Sequence, residues 1–159
     1  MIIVSDASPI IFLLKLKRLD ILRNLYKTKI LLPKEVHDEI CKKLENYELS
    51  YLNSFKDLFE TVTVEGSLNI TKLDEGENKV IFIAKNKNAL VIIDDKQGRI
   101  ICEQIGLKVI GTIGVLYKSL KEGILTKKEF ISLIDDLIQK YNFRISIELY
   151  NSIMREINK

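Results

Sequence analysis

Apolar positions along this chain switch between two periods, and the switching predicts strands separated by helices. Ile2-Ile3-Val4 is a short β-branched run that stops at Ser5-Asp6, as a buried strand of a parallel sheet does. Ser8-Pro9 then opens a helix reaching Leu16, with proline in the tolerated first turn. Asp20 to Leu25 reads as a second helical piece, Lys29 to Leu32 as a second strand, and Pro33 starts a helix toward Leu44. A further helix is expected from about Glu48 to Phe59, followed by a third strand at Thr61-Val62-Thr63-Val64. Asp74-Glu75-Gly76-Glu77 begins a helix that carries Val80, Ile81, Ile83 and Ala84 inward. Ala89-Leu90-Val91-Ile92-Ile93, the most apolar run, predicts the central strand and ends at Asp94-Asp95. A helix from about Gln97 to Gln104 leads to a fifth strand at Lys108-Val109-Ile110. From Thr112 onward the pattern is helical, over about 112–121, 126–141 and 146–157.

Strands joined through helices imply right-handed crossovers, hence an α/β/α sandwich on a mostly parallel sheet of about five strands. With 159 residues and no repeat, low-complexity tract or linker, the expectation is one domain over 1–159. The helices from about 112 then pack on the sandwich or on a partner. A hydrophobic share of 47% and a charged share of 30% exclude a mainly disordered chain. Cys41 and Cys102 both fall in helical segments and read as free thiols, and a single histidine argues against a structural zinc site. No basic n-region opens the chain and no run is long enough to span a membrane, so a cytoplasmic location is expected. The net charge of +3 permits a nucleic-acid partner without requiring one, so any functional basicity must be local.

Position makes the acidic residues informative. Ligands of an open parallel sheet bind beyond the carboxyl ends of the strands, where strand order reverses. Asp6 follows the first strand, and Asp94 and Asp95 follow the most apolar later one. If those strands are neighbours at the reversal, their acids converge, and hard divalent cations such as Mg²⁺ and Mn²⁺ favour such oxygen ligands. Taken singly, each acid has a structural explanation as a helix cap or turn residue. Asp6 suits a cap less well, because Ser8 precedes Pro9. Glu39 sits between Val36 and Ile40, which face the core, so it borders that face and can reach inward from the rim. Asp74-x-x-Glu77 fits a capping box, a role compatible with aiming Glu77 at the cleft.

Four segments in this order resemble the PIN-domain nucleases: Val4-Ser5-Asp6-Ala7-Ser8-Pro9, Leu32-Pro33-x-x-Val36-x-x-Glu39, Gly76-Glu77-x-x-Val80-Ile81 and Ile92-Ile93-Asp94-Asp95-x-x-x-Arg99. The chain is most similar to the uncharacterised prokaryotic branch near the VapC-type toxins, with Gly111-Thr112-x-Gly114-Val115-Leu116 and Asn142-Phe143-Arg144-Ile145-Ser146 adding to the likeness. The resemblance covers nearly the whole chain and rests on the ordered combination. It implies that Asp6, Glu39, Glu77 and Asp94 or Asp95 bind Mg²⁺ or Mn²⁺ and carry catalysis. The branch often has a further acid two positions after the glutamate, where this chain has Lys79. A cation pointing inward there would weaken metal binding.

The activity implied is hydrolysis of single-stranded RNA by metal-activated water. Asp6 is then the central ligand, with Asp94 or Asp95 opposite and Glu39 and Glu77 as further ligands or water-orienting groups. Ser8 is a candidate for bonding one carboxylate and Arg99, one turn past the acidic pair, for contacting phosphate. His37 is expected on an exposed face with no catalytic role. A toxin role would bring a small antitoxin partner, and the late amphipathic helices would suit that partner or a homodimer. The alternative is a Mg²⁺-binding α/β interaction or signalling module without nuclease activity. A phosphate-receiving module, however, pairs its acids near the first strand, and here the pair comes late.

Overall fold

The computed structural model describes residues 1–159. In chain order its elements are β1 (Ile3–Ser5), α1 (Ala7–Lys15), α2 (Asp20–Tyr26), β2 (Ile30–Pro33), α3 (Lys34–Lys43) and α4 (Asn46–Ser54). A 3₁₀ turn at Lys56–Leu58 leads into β3 (Phe59–Val62), α5 (Glu75–Lys87), β4 (Leu90–Ile92), α6 (Lys96–Gln104) and β5 (Val109–Ile110). The chain closes with α7 (Thr112–Lys121), α8 (Lys127–Lys140) and α9 (Ile147–Ile157).

All five strands are parallel, in the order β3-β2-β1-β4-β5. The chain therefore builds outward from β1 to β3, then crosses to β4 on the other side of β1. Strand order reverses between β1 and β4, where Ile3, Val4 and Ser5 pair with Leu90, Val91 and Ile92. Successive strand residues point to opposite faces. Ile3 and Val4 are both fully buried, as are Val91 and Ile92, so helices cover the sheet on both sides.

Two expectations about strands need correction. The central strand is β1, and β4 is its neighbour. The long apolar run at 89–93 reports burial on both faces, and a strand one place from the centre meets that condition equally well. The third strand lies two residues earlier than its β-branched run suggested. Phe59 pairs with Ile30, and the last register pair is Pro33 with Val62. Proline has no N–H to continue the ladder, so Thr63 and Val64 leave the sheet. The helix expected over 48–59 is accordingly split, with α4 opened by a capping box between Glu45 and Glu48.

Of the late helices, α7 packs on the sandwich and carries α8. α7 contacts α1, α2 and α8, and α8 buries Phe130, Leu133, Ile134 and Leu137. α9 buries only Ile153, while Ile147 and Leu149 stay exposed. Cys102 is buried, Cys41 half-buried, and both are free. No helix is long and apolar enough to cross a membrane.

Candidate active site

Asp6 is the first residue beyond β1, and its backbone N–H donates to Ile92 O of β4 at 2.9 Å. That bond extends the β1–β4 ladder by one residue and fixes Asp6 at the reversal point. Asp6 has the backbone of the α1 N-cap, yet its carboxylate makes no capping bond. The side chain is buried, and Oδ1 has no hydrogen-bond partner. Burial, with the negative charges of Asp74, Glu39 and Asp94, pushes its carboxyl up to about 7. Ser8 is the second residue of α1 and not its cap. Because Asp6 Oδ1 is unpartnered, Ser8 does not bond it either.

Glu77 reconciles two roles. It is the third residue of α5, where Glu77 N–H donates to Asp74 Oδ1 at 2.7 Å and Asp74 N–H donates to Glu77 Oε1 at 3.2 Å. One carboxylate oxygen thus closes the capping box. The other, Oε2, is buried without a partner. Burial raises the Glu77 pKa above the usual carboxylate range, helped by Asp74 and Asp95. Gly76 keeps this corner open, since a Cβ there would stand 3.2 Å from Val36 Cγ2 and 3.9 Å from Asp6 Oδ1. The start of α5 therefore lies directly over the end of β1.

The acidic pair divides. Asp94 accepts from Thr112 N–H at 2.7 Å and from Thr112 Oγ at 2.6 Å, which ties the end of β4 to the start of α7. Burial raises its pKa, while the Thr112 bonds and the charge of Arg99 act the other way. Asp95 is exposed and caps α6, accepting from Gly98 N–H at 2.8 Å. The two acids thus act on different neighbours: Asp94 on Asp6, Asp95 on Glu77. Glu39 stands at the rim of α3, one-third exposed, and accepts from Lys43 Nζ at 3.3 Å. Its charge also acts on Asp6.

Two residues had no site role in the sequence reading. Asp74 is the neighbouring charge that acts most strongly on Asp6 and a hydrogen-bonding neighbour of Glu77; its capping-box pattern concealed its place in the cluster. Thr112 holds Asp94, and the available signals were its place at the start of the helix after β5 and its membership of the Gly111-Thr112-x-Gly114 segment. Lys79 points away from the carboxylates. Its Nζ donates to Val64 O at 2.7 Å and Gly66 O at 3.0 Å, fastening the segment after β3 to α5. Asn78 holds the same segment through Ile70, Leu73 and Asp74. His37 is half-exposed beside Cys41 and pairs with none of these acids; the carboxylate near it is that of its chain neighbour Asp38, at 3.9 Å.

No three His, Cys, Asp or Glu side chains stand close enough together to chelate an ion as they are. The donor chemistry nevertheless fits a hard divalent cation. Three buried carboxylate oxygens lack partners, Asp6 Oδ1 and Glu77 Oε2 in this cluster and Glu35 Oε1 at the start of α3, and a buried acceptor without a donor is costly unless a cation or water meets it. Carboxylates crowded without a countercharge also repel, which favours splayed side chains.

A PIN-domain family model, DUF3368, matches residues 2–159. The chain belongs to the PIN-domain family. Members of that family are typically metal-dependent nucleases. Among solved structures, this PIN domain is similar to a PilT N-terminus domain protein from the archaeon Sulfolobus solfataricus. The two share 19% identity at a TM-score of 0.51, covering 76% of this chain and 95% of that one. The likeness is one of fold. No curated protein matches this PIN domain.

Proposed function

We propose that this PIN domain is a metal-dependent endoribonuclease that hydrolyses single-stranded RNA. The observation that carries the reading is Asp6 Oδ1, a buried and unpartnered carboxylate oxygen at the strand-order reversal. Glu39, Asp74 and Asp94 are the charges acting on it. Asp6 and the free oxygen of Glu77 are the inner ligands for Mg²⁺ or Mn²⁺. Asp94, with both oxygens held by Thr112, is a fixed anion facing them, and Asp95 and Glu39 are outer carboxylates that orient water. When bound, the cation offsets the carboxylate charge toward an incoming phosphate and acidifies water.

The chain's own part is positioning. The β1–β4 ladder sets Asp6, the capping box sets Glu77, and Thr112 sets Asp94. Arg99, exposed one turn into α6, belongs to none of the molecule's ion pairs, which supports its proposed role as a donor to a phosphate oxygen. Purified protein with Mn²⁺ or Mg²⁺ should cleave unstructured RNA internally. EDTA should stop cleavage, and Asp6→Asn should abolish it in the presence of metal. Metal binding without cleavage of several RNAs would instead identify a Mg²⁺-binding interaction module.

A further inference from the structure

A cavity of about 390 Å³ opens where α6, α7 and α9 meet, lined by Arg99, Ile113, Tyr117, Leu149, Ser152 and Glu156 among others. It adjoins the carboxylates through Gly111. A Cβ on that residue would stand 2.8 Å from both Asp94 Oδ1 and Arg99 Nη1, so the missing side chain lets the guanidinium approach the site. The cavity, a groove open to solvent, therefore begins at the proposed phosphate contact and extends to α9, whose Leu149, Ser152 and Glu156 are exposed along it.

Its lining is mixed in a way that suits a nucleobase. Ile113 and Leu149 supply apolar walls and Tyr117 an aromatic one, and proteins recognise unpaired RNA bases by stacking them and bonding their edges. Leu149, Ser152 and Glu156 recur at the three- and four-residue spacing that puts side chains on one helix face. Glu156 is the only carboxylate in the lining, and an ionised carboxylate can only accept. Among the four bases, guanine alone offers two adjacent donors, N1–H and N2–H, on its Watson–Crick edge. Adenine, cytosine and uracil each set one donor beside an acceptor, which a carboxylate repels.

We propose that this cavity is a guanine subsite for the nucleotide flanking the scissile phosphate. Glu156 takes the N1–H and N2–H donors, Tyr117 contacts the ring, and Arg99 holds the phosphate. The proposal rests on the nuclease reading for its biological substrate, but the subsite itself binds without metal. Lys159, which pairs with Glu156 at 3.1 Å from the exposed end of α9, must swing aside, a small cost for a surface ion pair.

The test is calorimetric titration of the full chain in EDTA with 5′-GMP and 5′-AMP, repeated on Glu156→Gln. Wild type should bind GMP at least tenfold more tightly than AMP. Glu156→Gln should lose that preference with an unchanged melting temperature, because the amide presents one donor where guanine needs an acceptor. Equal binding of the two nucleotides by wild type, no binding of either, or a preference retained in Glu156→Gln would overturn the subsite. Mapping cut positions with Mn²⁺ separates the two readings. RNA cut without regard to guanine leaves the nuclease standing and removes the subsite. Selective GMP binding by a protein that cuts no RNA keeps the subsite and removes the nuclease.

Discussion

At the scale of single residues, Asp6 shows function set against stability. Its folded-state carboxyl titrates at about 7 and the ordinary value is 3.8, the rise being due first to burial and then to neighbouring acids. Below the ordinary value the group is protonated both folded and unfolded and costs nothing. As pH rises toward 7 the unfolded chain ionises first, so the folded state loses stability across that window. Asp6→Asn removes this loss. In EDTA the variant should match wild type near pH 4 and gain on it toward neutrality, by ~0.5–2 kcal/mol. Denaturant melts at several pH values check this, and a constant difference across pH would show that Asp6 is not held in an unfavourable charge state. The position of Asp6 after a strand was legible in the sequence, as was the capping box of Glu77. The division of labour between Asp94 and Asp95 was not. Adjacent residues project differently at a strand end, and only the place of Thr112 and of Gly98 N–H decides which acid meets which partner.

At the scale of elements, α5 organises one side of the cleft. Asn78 Nδ2 donates to the carbonyls of Ile70, Leu73 and Asp74, and its Oδ1 accepts from Ile70 N–H at 2.8 Å. A Cβ on Gly66 would collide with the Phe82 ring, so the preceding stretch also presses closely on this helix. Asn78→Ala should cost about 2–3 kcal/mol, because the Ile70 N–H and the Leu73 carbonyl lose their partners together, while the Ile70 and Asp74 carbonyls keep backbone donors. Hydrogen exchange at the Ile70 amide should rise with it; unchanged protection there would mean that the segment is held by other contacts. Lys79→Met should cost less, about 1 kcal/mol, because the desolvation of the amine disappears together with its two bonds. Urea melts of the two variants should rank them in that order. None of this segment was legible beforehand. Residues 65–73 lack a period of either kind, and a lysine beside a candidate site reads as an intruding charge until its carbonyl partners are known. Helices were legible because capping residues and apolar spacing mark them locally. Where β3 ends was not, since its last register pair is with Pro33 in another strand.

At the scale of the whole molecule, the candidate site exists only when distant parts of the chain come together. Asp6 comes from the end of β1, Glu39 from α3, Asp74 and Glu77 from the start of α5, and Asp94 from the end of β4. Alternating strands and helices made a parallel sheet legible, and the reversal rule made convergence of β1 and β4 a reasonable expectation. The adjacency itself depends on strand order, which no local pattern encodes. This assembly predicts how metal should act on folding. The unfolded chain spreads these carboxylates apart, so a cation that needs them together binds the native state alone and stabilises it by RT ln(1 + [L]/Kd). At a hundredfold excess of Mn²⁺ over Kd, wild type should gain about 2.7 kcal/mol in global unfolding. The denaturant slope should stay constant, since the surface exposed on unfolding does not change. Asp6→Asn should lose most of that gain, reversing the order of stabilities found in EDTA, and Glu77→Gln should also lose metal stabilisation while keeping its cap, because the amide oxygen can hold the Asp74 N–H but the NH₂ at the Oε2 position cannot bind a cation. Equal metal-induced gains in wild type and Asp6→Asn would place the cation elsewhere on the molecule and detach Asp6 from catalysis.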